Sequence, residues 1–184
     1  MQRQLTPLID CFEFDIPSFT DPRGRLVKLY HQLSFKELGI DKEVAEFYIS
    51  ESKKGVLRGL HFQIPPYQHS KIVSCIKGAI FDVMVDLREG SLTYGQAHSI
   101  VLRGDQPRAV FIPEGFAHGF VSLEEESLFS CISSHVFEPK GDAGLRWDSI
   151  AVDWPDIPLN ISEKDLEQPG LQDFVSPFHY EVNG

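Results

Sequence analysis

Between Leu26 and Val136 the chain repeats one pattern: a short run rich in Val, Ile and Phe, then a break of Gly, Pro, Asp or Ser. Such runs lie at 26–29, 46–49, 56–63, 71–76, 79–87, 96–102, 109–112, 119–123 and 128–136. β-branched and aromatic residues suit a pleated, half-buried surface, and the breakers suit turns, so each run reads as a strand. Gly78 sits between two runs and predicts a hairpin turn. Many short strands at regular spacing with few helices predict an all-β sandwich or barrel. One short helix is expected at Ser34-Phe35-Lys36-Glu37-Leu38, stopped by Gly39, and another helical turn within 161–171. The last stretch, 174–184, has no pattern and is expected to pack on the surface or on a partner subunit.

With 184 residues the chain is the length of one domain, here 1–184, with a core at about 14–165 and a tail at 166–184. A hydrophobic content of 42%, including 14 phenylalanines, suffices to fill a core with large rings. The net charge of -10 argues against nucleic acid as a partner. It leaves room for a diphosphate, which needs only a local basic pocket. Cys11, Cys75 and Cys131 are odd in number and widely spaced, so neither a disulfide framework nor a zinc site is expected. The segment Met1-Gln2-Arg3-Gln4-Leu5-Thr6-Pro7 has no apolar signal region, and no apolar run is long enough to span a bilayer. A cytoplasmic address without membrane association follows as the expectation.

The densest chemistry lies in Leu57-Arg58-Gly59-Leu60-His61-Phe62-Gln63. Strand alternation places Arg58, Leu60 and Phe62 on one face and Leu57, Gly59, His61 and Gln63 on the other. Lys71 follows shortly. A second histidine, His118, ends Pro113-Glu114-Gly115-Phe116-Ala117-His118, and Ser162-Glu163-Lys164-Asp165 brings a late carboxylate. Two histidines without further placed ligands make a poor metal site. His69 could be offered as a third, but Tyr67-Gln68-His69-Ser70 is polar and reads as a surface loop. No metal and no cofactor are expected, and His61 reads as a proton carrier.

Taken in order, the anchors resemble the dTDP-4-dehydrorhamnose 3,5-epimerases, cupin-type enzymes that epimerise nucleotide-linked 4-keto-6-deoxy sugars. The anchors are Asp21-x-Arg23-Gly24, the run from Gly55 to Gln63, Lys71, Asp86-Leu87-Arg88-x-x-Ser91-x-Thr93-x-Gly95, the run from Pro113 to Phe120, Trp147-Asp148, Asp153-Trp154-Pro155 and Ser162-Glu163-Lys164-Asp165. The resemblance covers about 14–165. It implies a jelly-roll cupin barrel with short peripheral helices, and a homodimer. It implies an isomerase of deoxysugar biosynthesis that removes a proton α to the C4 ketone, at C3, C5 or both.

Carried over position by position, the resemblance gives His61 as the base and Asp165 as the carboxylate that orients it. Lys71 falls near the C4 oxygen. Arg58 and Arg23 clamp the diphosphate, with Arg23 reaching into the neighbouring subunit's pocket. His118 assists binding or polarisation, and Gln63 belongs to the substrate-binding positions.

Three regions depart from the family pattern. The family's acid tyrosine, counted without gaps from His118 to Pro139, is Cys131 here, and Ser127 to His135 contains no tyrosine. A thiol with a reference pKa of about 8.5 can donate a proton; His135 and water are the alternatives. Where the family has a glutamate after Arg-Gly, this chain has Lys28, with Leu26 in place of a phenylalanine. The family's Gln-Asp-Asn-His-Ser appears as Glu46-Phe47-Tyr48-Ile49-Ser50. Lys28 and Glu46 are therefore read as base-binding positions. Ionised glutamate only accepts hydrogen bonds, which favours a base with an amino group, so both dTDP- and CDP-sugars stay open. An enzyme confined to one carbon, a related sugar isomerase and a non-catalytic cupin that binds nucleotide sugars are the competing readings.

Overall fold

Alternating apolar positions along the runs resolve into two facing sheets in the computed structural model, which describes residues 2–181. In chain order the strands are β1 (Gln4–Leu5), β2 (Phe12–Asp15), β3 (Ser18–Asp21), β4 (Gly24–Val27), β5 (Glu46–Ser52), β6 (Val56–Gln63), β7 (Lys71–Lys77), β8 (Ala79–Asp86), β9 (Ala97–Arg103), β10 (Arg108–Ile112), β11 (Phe116–Ser122), β12 (Ser127–Ser133), β13 (Asp142–Gly144) and β14 (Asn160–Ile161). The helices α1 (Gln32–Glu37) and α2 (Glu163–Leu166) are short. One sheet runs β1-β2-β10-β7-β12-β5 and the other β13-β6-β11-β8-β9, with β14 parallel to β6. Two sheets folded face to face with neighbours drawn from distant parts of the chain make the jelly-roll cupin architecture.

Between the sheets lies a core of Val73, Ile80, Met84, Phe116, Phe120 and Phe129, all 4% exposed or less. Each such side chain contributes about 1.5–3 kcal/mol relative to exposure. A second cluster packs α1 on the outer face of the first sheet through Phe14, Phe35, Leu38, Ile72 and Ile132. A third covers the outer face of the second sheet, with Leu60, Phe62, Val83, Val85, Leu145 and Phe178.

The helix α1 starts two residues earlier than expected, because His31 caps it: its Nδ1 accepts from Ser34 N at 3.3 Å. Gly39, at φ 71°, ends it in the left-handed region. Gly78, at φ 74°, joins β7 to β8 as expected. The strand β2 lies outside the expected runs, although Phe12 and Phe14 alternate with Glu13 and Asp15. The run expected at 26–29 is instead the second arm of a separate hairpin, β3–β4, whose residues are almost all exposed.

The tail is ordered against its own chain. Phe174 and Phe178 set their rings 5.3 and 5.7 Å from that of Phe62, and Tyr180 N donates to Glu89 O at 2.8 Å. The rest of the pattern-free stretch, 182–184, lies outside the described residues. Among the described residues no helix is long and apolar enough to cross a membrane.

Candidate active site

Strand alternation separates Arg58 from His61, yet both line one cavity of about 580 Å³. The reason is Gly59. Its φ is 130°, open to glycine alone, and the pairing of β6 with β11 shifts register between His118 and Phe120. A Cβ on Gly59 would stand 2.5 Å from Gly119 Cα, and one on Gly119 would stand 2.6 Å from Arg58 O. The two strands thus touch backbone to backbone. Past this break Leu60 and Phe62 turn to the outer core, while Leu57, Arg58 and His61 share the cavity wall. His118 pairs with His61 across the ladder and faces the same cavity.

Each histidine meets a carboxylate from a different element. His61 Nε2 lies 2.7 Å from Asp165 Oδ1, and Gly59 N donates to Asp165 Oδ2 at 3.2 Å. Ser162 caps α2 by accepting from Asp165 N, which sets the carboxylate at the helix start. Burial alone would raise the Asp165 carboxyl. The hydrogen bond and charge of His61, with the Gly59 amide and Ser162, outweigh it and hold Asp165 below the ordinary carboxylate value. His118 Nε2 lies 2.7 Å from Asp82 Oδ1, and both side chains are buried.

Lys71 comes from the opposite sheet. It is 7% exposed, and its Nζ donates to His61 O at 2.8 Å. Burial lowers its pKa; the nearby Cys131, Asp82 and Asp142 partly offset this. Cys131 lies on β12 with no exposed surface, and burial pushes its thiol up to about 11 against the pull of Lys71 and Tyr48. Tyr48, on the neighbouring strand β5, pairs directly with it, and Cys131 itself borders a smaller cavity that Tyr48 also lines. This smaller cavity, of about 280 Å³, continues from the first and shares Tyr48, His61, Lys71 and Lys164 with it.

The other expected site residues distribute as follows. Arg58 Nε donates to Ser52 Oγ at 3.1 Å at the cavity rim. Glu46 lines the smaller cavity and accepts from Phe137 N at 3.2 Å. Gln63 also borders it, but its amide is engaged as a brace: Nε2 donates to Tyr67 O at 2.9 Å, and Oε1 accepts from Glu138 N at 2.6 Å. An amide so engaged has fewer hydrogen bonds left for a substrate, and it braces the cavity wall. The reading of His69 as a surface-loop residue is corrected. It is half-buried at the same cavity, 3.0 Å from Gln63 Nε2, and burial with the charge of Lys71 lowers its pKa to about 3. His135 borders this cavity too, its Nδ1 donating to Val136 O at 2.9 Å. Arg23 and Lys28 sit on the β3–β4 hairpin, outside both cavities, and Arg23 is paired with Asp21 at 2.6 Å.

Sequence reasoning missed Asp82, Tyr48 and Lys164. Asp82 carried a usable signal: it interrupts the apolar run Ala79-Ile80-Phe81-Asp82-Val83-Met84-Val85, and a carboxylate in such a run needs a partner. Chemically the ensemble offers an imidazole with one nitrogen held by a carboxylate, a buried amine beside it, and a phenol on the facing sheet. Such a set suits proton transfer next to a carbonyl.

Comparison with known proteins identifies the site's relatives. A family model described as dTDP-4-dehydrorhamnose 3,5-epimerase matches residues 5–173. A dTDP-4-dehydrorhamnose 3,5-epimerase of Methanothermobacter thermautotrophicus is 42% identical over 160 residues, covering 84% of this chain and 86% of that one. A dTDP-4-dehydrorhamnose 3-epimerase of Streptomyces niveus is 39% identical, covering 80% and 72%. The crystal structure of dTDP-6-deoxy-D-glucose-3,5-epimerase from Legionella pneumophila, in complex with dTDP-4-keto-L-rhamnose, superposes with a TM-score of 0.93 at 31% identity, covering 98% and 99%.

Proposed function

The chain belongs to the dTDP-4-dehydrorhamnose 3,5-epimerase family, and from that membership we propose that it epimerises a nucleotide-linked 4-keto-6-deoxyhexose through His61. The observation that carries the reading is the His61–Asp165 pair, 2.7 Å apart, inside a cavity that also holds Lys71. An ionised Asp165 accepts from Nε2–H, which fixes the tautomer and leaves Nδ1 with its lone pair as the base. The C–H bond α to the C4 ketone breaks, its proton passes to Nδ1, and its electron pair moves into an enolate. Lys71 stabilises the charge that develops on the C4 oxygen. Reprotonation from the other face gives the epimer, and the imidazolium returns its proton to solvent.

Arg58 at the rim is the cation for the diphosphate, since a guanidinium fork matches phosphate oxygens. His118 lines the sugar end. The detached β3–β4 hairpin, with Phe19 and Leu26 exposed at 59% and 55%, supports a homodimer in which each hairpin presents Arg23 and Lys28 to the partner's cavity. Glu46 is the residue at the base. One of its oxygens already accepts from Phe137 N, which weakens its preference for an amino group, so dTDP is the first nucleotide to try and CDP the second. The family model's span of 5–173 supports treating 1–184 as one domain. The three cysteines are free and buried, which fits a reducing compartment.

Solvent deuterium wash-in tests the reading. Incubated in D₂O with dTDP- and CDP-4-keto-6-deoxyhexoses, the protein should incorporate deuterium at C3, at C5 or at both. No incorporation at either carbon with any of these sugars would remove the proposed activity.

A further inference from the structure

We infer that Tyr48 delivers the proton to the sugar face opposite His61, with Cys131 as the partner that positions the phenol. The inference rests on the epimerase reading above and names a group that the reading leaves open.

Three observations converge on Tyr48. First, β5 pairs with β12 so that Tyr48 and Cys131 stand directly opposite each other. Directly paired residues put their side chains on the same face of the sheet. Cys131 faces the interior, so Tyr48 points the same way. Second, the Cys131 side chain is the direct cross-strand neighbour of Tyr48, whose ring leans on Phe129 at 6.3 Å between centroids. The ring is therefore held between Cys131 and Phe129. Third, Tyr48 lines both cavities that His61 lines, but from the other sheet. Base and phenol approach the enclosed space from opposing walls, which inversion requires.

The thiol itself is the weaker candidate. Cys131 borders the smaller cavity but has no exposed surface, and of the two only Tyr48 also lines the larger cavity with Arg58 and His118. Tyr48 as a whole is 43% exposed, because β5 is an edge strand, yet the enclosure of its hydroxyl raises the phenol's pKa well above the ordinary value. The phenol thus stays protonated across the neutral range, ready as a donor. In the step, the Tyr48 O–H bond breaks and a C–H bond forms on the enolate carbon. The C4 carbonyl re-forms from the enolate electrons. The phenolate regains a proton from solvent as the imidazolium loses one, so the cycle has no net change in protons or electrons.

Deuterium wash-in distinguishes the two faces. His61 returning a solvent deuteron gives labelled sugar of unchanged configuration, whereas Tyr48 gives labelled epimer. Tyr48→Phe should cut inversion by about 100-fold, the usual worth of a placed general acid, while label still enters the uninverted sugar. Cys131→Ala should cost only about fivefold, the worth of one positioning contact. Tyr48→Asn should lose inversion, and Tyr48→Asn combined with Cys131→Tyr, which returns the phenol to the facing position, should regain at least part of it. Tyr48→Phe or Tyr48→Asn inverting at the wild-type rate would overturn the inference, as would abolition of inversion by Cys131→Ala. Wild-type protein that incorporates no label would instead overturn the epimerase reading and this inference with it. Label entering both the wild type and Tyr48→Phe, with equal inversion, would overturn the inference alone.

Discussion

The molecule contains two histidine–aspartate pairs of the same length, 2.7 Å, on adjacent strands of one sheet. Their surroundings differ. The His61 side chain is 36% exposed, and its carboxylate is held also by the Gly59 amide and capped by Ser162. The His118 side chain is 7% exposed, Asp82 is fully enclosed, and Asp82 Oδ2 has no hydrogen-bond partner among the described residues. An imidazole that cycles a proton needs a route to solvent and a well-supported counter-charge, and the first pair has both. The second can orient a ring or polarise an oxygen, but at 7% exposed it has a much narrower route to the proton pool. The same two residue types thus have different capacities because one carboxylate sits on a peripheral helix turn and the other inside a central strand.

The largest effect that would break this contrast is kinetic. His61→Asn should lower the rate of deuterium wash-in by about 10³-fold without loss of fold, as read by circular dichroism. A comparable loss from His118→Asn, with His61→Asn mild, would reverse the assignment. Next comes stability. His118→Ala leaves the enclosed Asp82 without its partner and should destabilise the protein by about 3 kcal/mol. Urea unfolding measures this, provided the slope with denaturant is unchanged. His61→Ala, at a half-open site, should cost clearly less.

A smaller effect sharpens the contrast through pH. The Asp165 carboxyl is held below its unfolded value. Its stabilisation is therefore fully present above the ordinary carboxylate range, near pH 4, and is lost as pH falls through the lowered folded value. Asp165→Asn should be less stable than wild type by about 1.5 kcal/mol at pH 7, and the gap should close on acidification below about pH 4. A gap that widens there would contradict the depressed value. At the bottom of the scale, exhaustive chelation should leave wash-in unchanged, because the proposed chemistry assigns each histidine Nε2 to a carboxylate rather than to a metal. Loss of activity restored by one metal would show that assignment to be wrong.

Much of this was legible in the residues. Runs rich in β-branched and aromatic residues gave most strands, since half-burial leaves a local signature. His61, Lys71, His118 and Asp165 are brought to one cavity by elements that are distant in sequence, an arrangement the order of the motifs anticipates but cannot place. Arg58 illustrates a limit. Period-two reading sends it away from His61, and only the break at Gly59 brings both to one wall. Tyr48 illustrates another. Counting along β12 ends at Cys131, and the phenol beside it belongs to a neighbouring strand, so its relation to the cavity depends on inter-strand register. The hairpin β3–β4 and the tail were obscured for a third reason. Their apolar residues have no strong period, and Phe174 and Phe178 find their place only against Phe62.

The contact between Gly59 and Gly119 bears on how such a site can drift through sequence space. Most crowded positions can be relieved by shrinking the neighbour. Here each missing side chain faces backbone, Gly119 Cα in one direction and Arg58 O in the other, and both residues are already the smallest available. No second substitution can make room, so the two positions act as one locked joint that moves only by deletion of the bulge. The walls around the joint are free of that lock. Tyr48 and Cys131 differ in size and meet side chain to side chain, so an acidic group can be re-dealt between their strands by ordinary exchanges. A lineage built on this scaffold would therefore keep its base in place and vary what stands across from it.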